Sequence, residues 1–279
     1  MRLGLIALGS LTSVACGGNT AGLVASGACP APTPQTLPDG EVNTEPFSFF
    51  MTSLVALQRY SNCEAGFGGD LRYGHTGPGA GLIGADQLCA LIAEGSLAGA
   101  GHKPWRAFLS AAVGPEGTPV DAIDRIGAGP WYDRLGRLLA PNLSSLQASR
   151  PLGGDLTITN DLPNEDGVPN HAPDPNQGEV DNHHVLTGSD ERGRLLSAST
   201  TCLDWTAAAG DADREGRPRV GLSWPRSGGR GAAHWISAMD EAGCAPSVNL
   251  IESGGPDPSE GTVGSGGGYG AFYCFSPTP

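Results

Sequence analysis

Charged residues are scarce in this sequence, and basic residues are the scarcest. Only 16% of its 279 residues are charged, and 16 Lys and Arg stand against 29 Asp and Glu, which gives a formal net charge of −13. A chain this acidic repels the phosphates of nucleic acids and anionic lipid headgroups. We therefore expect no nucleic-acid partner, and no membrane contact other than through a lipid anchor.

Long apolar runs and familiar catalytic motifs are also missing. After residue 16 no segment approaches the roughly 18 consecutive apolar residues that span a bilayer. Neither the Gly-x-Ser-x-Gly of serine hydrolases nor the His-Glu-x-x-His of zinc proteases occurs. No Cys-x-x-Cys pair is present, which disfavours structural zinc and thioredoxin-like chemistry. We therefore expect a protein that is not an enzyme.

Glycine and proline are abundant instead, with 44 and 23 residues. This composition favours a loop-rich domain with short strands and argues against a helical bundle. The chain is long enough to bury a sizeable core in one large domain or two small ones. No internal repeat is visible.

The first residues have the pattern of an export signal. A positive charge at Arg2 precedes an apolar stretch that ends in small residues before Cys16. Residues 1–15 are typical of a bacterial lipoprotein signal peptide, although Ser13 stands where leucine is most common. We expect Cys16 to carry the lipid, with Cys29 as a second candidate. The protein would then be exported and anchored at the outer membrane or cell surface.

Six cysteines remain if Cys16 is lipidated. An even number in an oxidising compartment usually forms disulfides, and six cysteines allow 15 connectivities. The sequence alone does not choose among them. The six are Cys29, Cys63, Cys89, Cys202, Cys244 and Cys274.

Composition changes at residue 47. Residues 16–46 are polar and proline-rich, which predicts an extended tether between the anchor and a domain at 47–279. Residues 47–57 are apolar with partial alternation, which predicts the first strand.

The stretch 84–110 is the part around which the chain is organised. Asp86 is a good N-cap, and Leu88, Leu91 and Ile92 share one face, so we predict a helix that begins at residue 85 or 86 and ends at Gly95. An apolar strand is predicted to follow at 105–110.

Later segments predict short elements separated by loops. They are a helical turn at 121–126, a hairpin at 131–139 that turns near Gly136, a strand and turn at 185–194, a polar loop at 211–219, strand pieces at 223–225 and 234–238, and an aromatic strand at 269–275.

Residues 151–190 are acidic and lack periodicity. They hold eight Asp and Glu and no Lys or Arg, which predicts a long surface loop. Its oxygen-bearing side chains are the ligands that calcium prefers, and a purely solvated loop is the alternative. The candidate calcium ligands are Asn160, Asp161, Asn164, Asp166 and Asp181.

Histidines and tryptophans are further candidates for a site. His183 and His184 could bind zinc or exchange protons, but neighbours in a strand point to opposite faces, which favours surface histidines. Trp105 and Trp205 are predicted to lie in the core. Trp131 and Trp224 are left as candidates for stacking against a ligand.

Several motifs in order resemble those of endostatin, a domain released from certain collagens that has the C-type-lectin-like fold. They are Gly84-Ala85-Asp86-x-x-Cys89, Arg106-Ala107-Phe108-Leu109-Ser110, Gly188-Ser189-Asp190-x-x-Gly193-Arg194, Cys202-x-x-Trp205 and a cysteine in the last strand. With its leader, the chain is similar to bacterial surface lipoproteins with endostatin-like domains. The likeness covers roughly residues 49–275.

The resemblance implies an α+β, C-type-lectin-like domain with short antiparallel strands, one or two helices and long loops. It also implies the pairs Cys89 with Cys274 and Cys202 with Cys244. Cys29 and Cys63 have no counterpart in that family and are left as candidates for pairing with each other. Endostatin's basic, heparin-binding surface is not carried over to so acidic a chain.

The function that we expect from the sequence is binding. A monomeric, surface-anchored module would bind a glycan or an extracellular protein through its long loops, with calcium as a possible aid. A structural envelope protein without a ligand is the alternative, and an enzyme with an unrecognised site is a third.

Overall fold

The computed structural model describes residues 29–169, 183–225, 234–250 and 255–277. The predicted signal peptide, Cys16 and Asp181 lie outside the described residues.

The described residues form two helices of eight or more residues and eight strands. The helices are α1 (Leu54–Ser61) and α2 (Ala80–Ser96); the strands are β1 (Phe49–Met51), β2 (Arg106–Ala107), β3 (Trp131–Tyr132), β4 (Leu138–Ala140), β5 (His184–Leu186), β6 (Arg219–Leu222), β7 (Met239–Asp240) and β8 (Gly268–Phe275). Short helical turns lie at Ala100–His102, Ala122–Arg125, Leu143–Leu146, Leu156–Thr159, Ala198–Thr200 and Ala212–Glu215. The architecture is therefore α+β.

The last strand lies at the centre of the fold. The order in the main sheet is β1-β8-β5-β6-β7, and β2 also pairs with β8. β1 and β2 run antiparallel to the second half of β8, whereas β5 runs parallel to its first half. All eight residues of β8 are buried, because strands and core cover it on every side.

Helix α1 replaces the second half of the predicted first strand. β1 ends at Met51, and Ser53 then has extended backbone angles while its hydroxyl accepts a hydrogen bond from the backbone N–H of Ala56 at 3.1 Å. A serine in this position is a good N-cap. The strand predicted at 47–57 is therefore wrong after residue 51, because Ser53 caps a helix within the apolar run.

Helix α2 begins five or six residues earlier than predicted. Gly79, with φ 68°, precedes it, and Gly81 and Gly84 lie inside it. A β-carbon at Gly84 would lie 2.2 Å from the carbonyl oxygen of Leu71, so the helix packs here against backbone. Asp86 is not an N-cap. It accepts a hydrogen bond from Ala107 N at 2.9 Å and forms an ion pair with Arg125 at 2.8 Å.

Several short elements agree with the sequence. The helical turn Ala122–Arg125 and the hairpin of β3 and β4 are confirmed, and Gly136 has φ 74° in the hairpin turn. The strand predicted at 105–110 shortens to β2. The pieces at 223–225 and 234–238 contain no described strand residues, and β6 lies just before the first of them.

One apolar cluster forms the core between α2 and the sheet. Trp105 and Trp205 are buried in it, as predicted, and Trp235 is buried as well. Phe275 lies near Trp131 and Trp235, with ring centroids 5.7 and 6.3 Å away. The aromatic residues are therefore concentrated around the end of β8.

Residues 29–46 pack along the domain instead of standing apart from it. Gln87 Nε2 donates to the carbonyl of Gln35 at 2.7 Å, and Asn43 N donates to the carbonyl of Gly99 at 2.9 Å. Leu37 packs against the core. The segment has no helix or strand, as the prediction of an extended chain requires, but its described part is not a free tether. We call residues 29–37 the strap.

Three disulfides join the six remaining cysteines. They are Cys89–Cys274, Cys202–Cys244 and Cys29–Cys63. The first two are the pairs that the resemblance implies. Cys89–Cys274 connects α2 to β8, so the central helix is covalently fixed to the central strand. Within the described part of the chain, no helix combines the length and apolar character that crossing a membrane requires.

The acidic segment is only partly a surface loop. Ile158 and Leu162 are fully buried, and Leu162 N donates to the carbonyl of Ser223 at 2.7 Å. Glu165 is also buried, with 7% of its surface exposed. The prediction of a surface loop at 151–190 is therefore wrong for its first half, where the apolar residues contact the core.

Candidate functional site

A cleft of about 640 Å³ lies between the strap and the glycine-rich segment before α2. Its walls come from the strap, from residues 61–76 and from two short loops at 208–209 and 245–246. Clefts that combine apolar walls with a few fixed polar groups are the usual form of a ligand site. This cleft is therefore the candidate site.

Gly69, the residue before the cleft residue Asp70, packs closely against a disulfide. Gly69 N donates to the carbonyl of Cys244 at 2.8 Å, and a β-carbon on Gly69 would lie 2.6 Å from Cys202 Sγ. Only glycine fits this approach. The next residue, Asp70, forms a β-bridge with Thr206, which fixes its backbone where it lines the cleft.

Asp70 and Arg72 form a paired ion group on the cleft wall. Arg72 Nε and Nη2 donate to the two carboxylate oxygens at 2.9 and 2.5 Å. Their side chains are 30% and 45% exposed, so the pair remains in contact with solvent. This two-point bond raises the pKa of Arg72 and fixes the planes of both groups. The pair offers hydrogen-bonding groups in a set orientation.

Tyr73 has an unusual backbone for an aromatic residue. Its φ is 46°, and Gly74 follows with φ 88°, so the chain reverses and His75 N donates to the carbonyl of Arg72 at 2.9 Å. Left-handed backbone in a bulky residue is strained and is often found at functional positions. The Tyr73 hydroxyl compensates by accepting from Gln35 N at 3.1 Å and donating to the carbonyl of Thr33 at 3.3 Å.

His75 contributes a second polar group to the wall. Its Nε2 lies 2.6 Å from Oε1 of Gln87 on α2, so that nitrogen carries the proton and donates it. Gln87 in turn donates to the strap at Gln35. The imidazole is thus held by the same helix residue that holds the strap.

Prolines and alanines make the opposing walls apolar. Pro30 and Pro32 of the strap line the cleft together with Ala209 and Pro246, and Phe67 adds a mostly buried ring. The cleft therefore combines flat apolar surfaces with the ion pair and the histidine.

These cleft residues were not chosen as a site from the sequence. Asp70 and Arg72 stand two positions apart in a segment dominated by glycine, and that spacing is the signal that was available. Their meeting with the strap depends on Cys29–Cys63, which the sequence left open.

Two of the predicted calcium ligands have hydrogen-bond partners within the protein. Asn164 Oδ1 accepts from the backbone N–H groups of Asp166 and Val168, both at 3.0 Å, and Asn160 Oδ1 accepts from Arg150. Asp161 is partly buried, and Asp166 is exposed. No three His, Cys, Asp or Glu side chains in the described ranges are arranged to hold a metal ion.

His183 and His184 are buried, not surface histidines. Their exposures are 7% and 1%, and their ring centroids lie only 4.6 Å apart, because His183 precedes the strand and its ring turns toward its neighbour. His184 Nδ1 bonds to the carboxylate of Glu241, which also accepts from Ser265 Oγ at 2.6 Å and Gly266 N at 2.8 Å. The network joins β5 to the segments around β7 and β8.

Trp131 is not available for stacking against a ligand. It is fully buried, and its Nε1 donates to the carbonyl of Ile126 at 3.1 Å. The assignment of Trp131 as a ligand-binding residue is therefore wrong, since the ring fills the core beneath the hairpin. Trp224 is partly buried and does not line the cleft.

Comparison with known proteins adds no identity: no model of a known protein family matches the chain, and no curated protein matches it significantly.

Proposed function

We propose that this domain is a non-catalytic binding module that takes a glycan in the cleft beside Asp70 and Arg72. The observation that carries the proposal is the fixed ion pair on the wall of a cleft of about 640 Å³ whose other walls are apolar. A sugar presents hydroxyls at its edge and C–H groups on its faces. Planar polar groups in a fixed orientation match the hydroxyls, and the proline and alanine surfaces match the faces.

The groups on this wall are already positioned before a ligand arrives. Arg72 is held by Asp70, His75 by Gln87, and Tyr73 by the strap. Groups that need no reordering lose little conformational entropy on binding, which raises affinity for a given set of contacts. These pairings suit ligand recognition better than catalysis, because none of these side chains is arranged as a nucleophile beside a base.

We also propose that the domain has the endostatin-like, C-type-lectin-like fold. The ordered motifs support this, together with the α+β architecture and the pairs Cys89–Cys274 and Cys202–Cys244. Export and lipid attachment at Cys16 belong to the same proposal. The three disulfides support an oxidising compartment.

The proposal is tested by screening the full exported protein against arrays of glycans and of extracellular proteins. The first bound glycan is then titrated against Arg72→Gln and Asp70→Asn. We expect each variant to lose at least about tenfold in affinity, the equivalent of about 1.4 kcal/mol. Arg194→Gln is the matched control, because Arg194 also forms an exposed ion pair, at 3.2 Å with Asp121, and does not line the cleft.

Each outcome has a meaning. Binding that is lost equally in the Arg72 and Arg194 variants would place the ligand elsewhere. Binding only to proteins would replace the glycan as the ligand class. A protein that binds nothing on either array would be a structural envelope component, and the proposal would be withdrawn.

A further inference from the structure

The disulfide at the edge of the cleft differs from the other two in its exposure. Cys29 is exposed and Cys63 is 8% exposed, whereas Cys89, Cys274, Cys202 and Cys244 are each 0% exposed. Both Cys29 and Cys63 also line the cleft. A small thiol can therefore reach this disulfide from solvent while the core disulfides stay covered.

Among the described residues, no hydrogen bond holds residues 29–32, the end of the strap that carries Cys29. Pro30 and Pro32 have no backbone N–H to donate. Among the described residues, the first hydrogen bonds of the strap are those of Thr33 and Gln35 with Tyr73, and Leu37 follows with its core contact. Residues 29–32 are thus attached mainly through Cys29–Cys63, and residues 33–37 form a separate attachment.

We propose that Cys29–Cys63 is a thiol–disulfide exchange site whose substrate is a small external thiol, and that exchange there opens the strap wall of the cleft. The thiolate attacks Cys29 Sγ, since Cys29 is the exposed cysteine of the pair. A new disulfide bond forms between the sulfur of the external thiolate and Cys29 Sγ, and the Cys29–Cys63 bond breaks. The electron pair of the broken bond leaves on Cys63 Sγ, which takes up a proton.

A second thiol completes the reduction. It attacks the mixed disulfide, forms a disulfide between the two external thiols and releases Cys29 as a thiolate, which is then protonated. The cysteine pair gains two electrons and two protons, and two external thiols are oxidised to one disulfide. Residues 29–32 then move about the attachment at 33–37, and the apolar wall of Pro30 and Pro32 leaves the cleft.

The thiol–disulfide exchange does not depend on which ligand the cleft binds, whereas the effect of exchange on ligand binding rests on the proposed function. Reduced glutathione is the probe. The full exported protein is incubated with it, quenched by alkylation and mapped by peptide mass spectrometry. We expect Cys29–Cys63 to exchange more than about tenfold faster than Cys89–Cys274 and Cys202–Cys244, with the glutathione adduct on Cys29.

Opening of the wall is measured by hydroxyl-radical footprinting in the absence of any ligand. Oxidation of Phe67, which is 7% exposed, should rise severalfold after reduction and in the Cys29→Ser, Cys63→Ser double variant. Phe108, which is 0% exposed, is the internal control and should not change.

Two results would overturn the proposal. One is exchange at Cys29–Cys63 that is no faster than at the core disulfides. The other is unchanged oxidation of Phe67 once the bond is open. If the double variant does not fold, the reduced wild-type protein gives the same reading. Failure of glycan binding alone would refute the proposed function and leave the exchange site standing.

Discussion

Glu165 reaches across 112 sequence positions to Ser53 and holds the start of α1. One carboxylate oxygen accepts from Ser53 N at 3.0 Å and the other from Ser53 Oγ at 2.5 Å. Because Ser53 is also the N-cap, the carboxylate completes the hydrogen bonding of the helix entrance. The acidic segment therefore serves the core at this point.

Stability should depend on pH through Glu165. Burial raises the pKa of this carboxyl, more than the Ser53 hydrogen bonds lower it. The stabilisation from the protonated form is complete below the unfolded pKa of 4.5 and is lost as pH rises through the folded value. We expect the wild type to lose free energy of unfolding relative to Glu165→Gln between pH 4 and pH 7.

Urea denaturation at several pH values checks this prediction. Asp166→Asn is the control, because Asp166 is the exposed neighbour. A difference between wild type and Glu165→Gln that stays constant from pH 4 to pH 7 would contradict it.

Glycines on α2 should differ sharply in their tolerance of alanine. A β-carbon at Gly84 would lie 2.2 and 2.3 Å from the backbone oxygens of Leu71 and Arg72, which cannot move aside freely. We expect Gly84→Ala to cost about 2–3 kcal/mol or more. At Gly95 the nearest atom would be Tyr60 Oη at 3.7 Å, so Gly95→Ala should be neutral or stabilise by up to about 1 kcal/mol. Thermal melts of the two variants test this prediction. Equal effects on the melting temperature would contradict the close packing of α2 at Gly84.

The turn Cys202–Trp205 should gain from a glycine. All four of its residues have positive φ, between 49° and 65°, and Leu203 is 51% exposed at φ 53°. Left-handed backbone costs an L-residue about 1–2 kcal/mol, and glycine is free of that cost. We expect Leu203→Gly to raise the melting temperature slightly. Leu196→Gly is the matched control, since Leu196 is 43% exposed without a positive φ, and it should lower the melting temperature.

Asp204, within the same turn, connects it to the segment at 112–113. Its carboxylate accepts from Ala112 N at 2.6 Å and Val113 N at 3.2 Å. Replacing Asp204 with alanine leaves two backbone donors unpaired, and we expect a loss of about 1–3 kcal/mol. Asp204→Asn should lose less, because its amide oxygen still accepts. Chemical denaturation measures both, and equal losses would argue against these hydrogen bonds.

The disulfide between α2 and β8 should matter most for stability. It joins residues 185 positions apart, and loop-closure entropy gives about 5 kcal/mol for a loop of that length. Non-reducing peptide mapping should recover Cys89 joined to Cys274, and the double serine variant should melt far below the wild type. Recovery of Cys89 with any other partner would refute both this fold and the proposed family.

Local sequence patterns predicted an element correctly where the residues of that element determine its structure. The hairpin of β3 and β4, the turn Ala122–Arg125 and the aromatic strand β8 lie where the residue types within a few positions predict them. Local patterns gave wrong boundaries where contacts with distant segments determine the structure. The helix was predicted to begin at residue 85 or 86, but it begins at Ala80, and at Gly81 and Gly84 backbone from other segments fills the space where side chains would lie.

The candidate site shows the same division more strongly. Asp70 and Arg72 stand in a glycine-rich segment of the sequence. No pattern in that segment indicated that the strap would pack against Tyr73 and form a cleft there. Conversely, the acidic segment looked like a metal site by composition alone. The structure uses Asn164 for its own turn and Glu165 for α1.

The sequence by itself determined the acidic charge, the short elements of a loop-rich chain and an even set of cysteines beyond Cys16. These depend on composition and on neighbours along the chain. Only the tertiary structure decided that Trp131 is core, that residues 29–37 form a wall and that Asp70 and Arg72 share a cleft with them. Those outcomes depend on which distant surfaces exclude water together, and no local pattern records that choice.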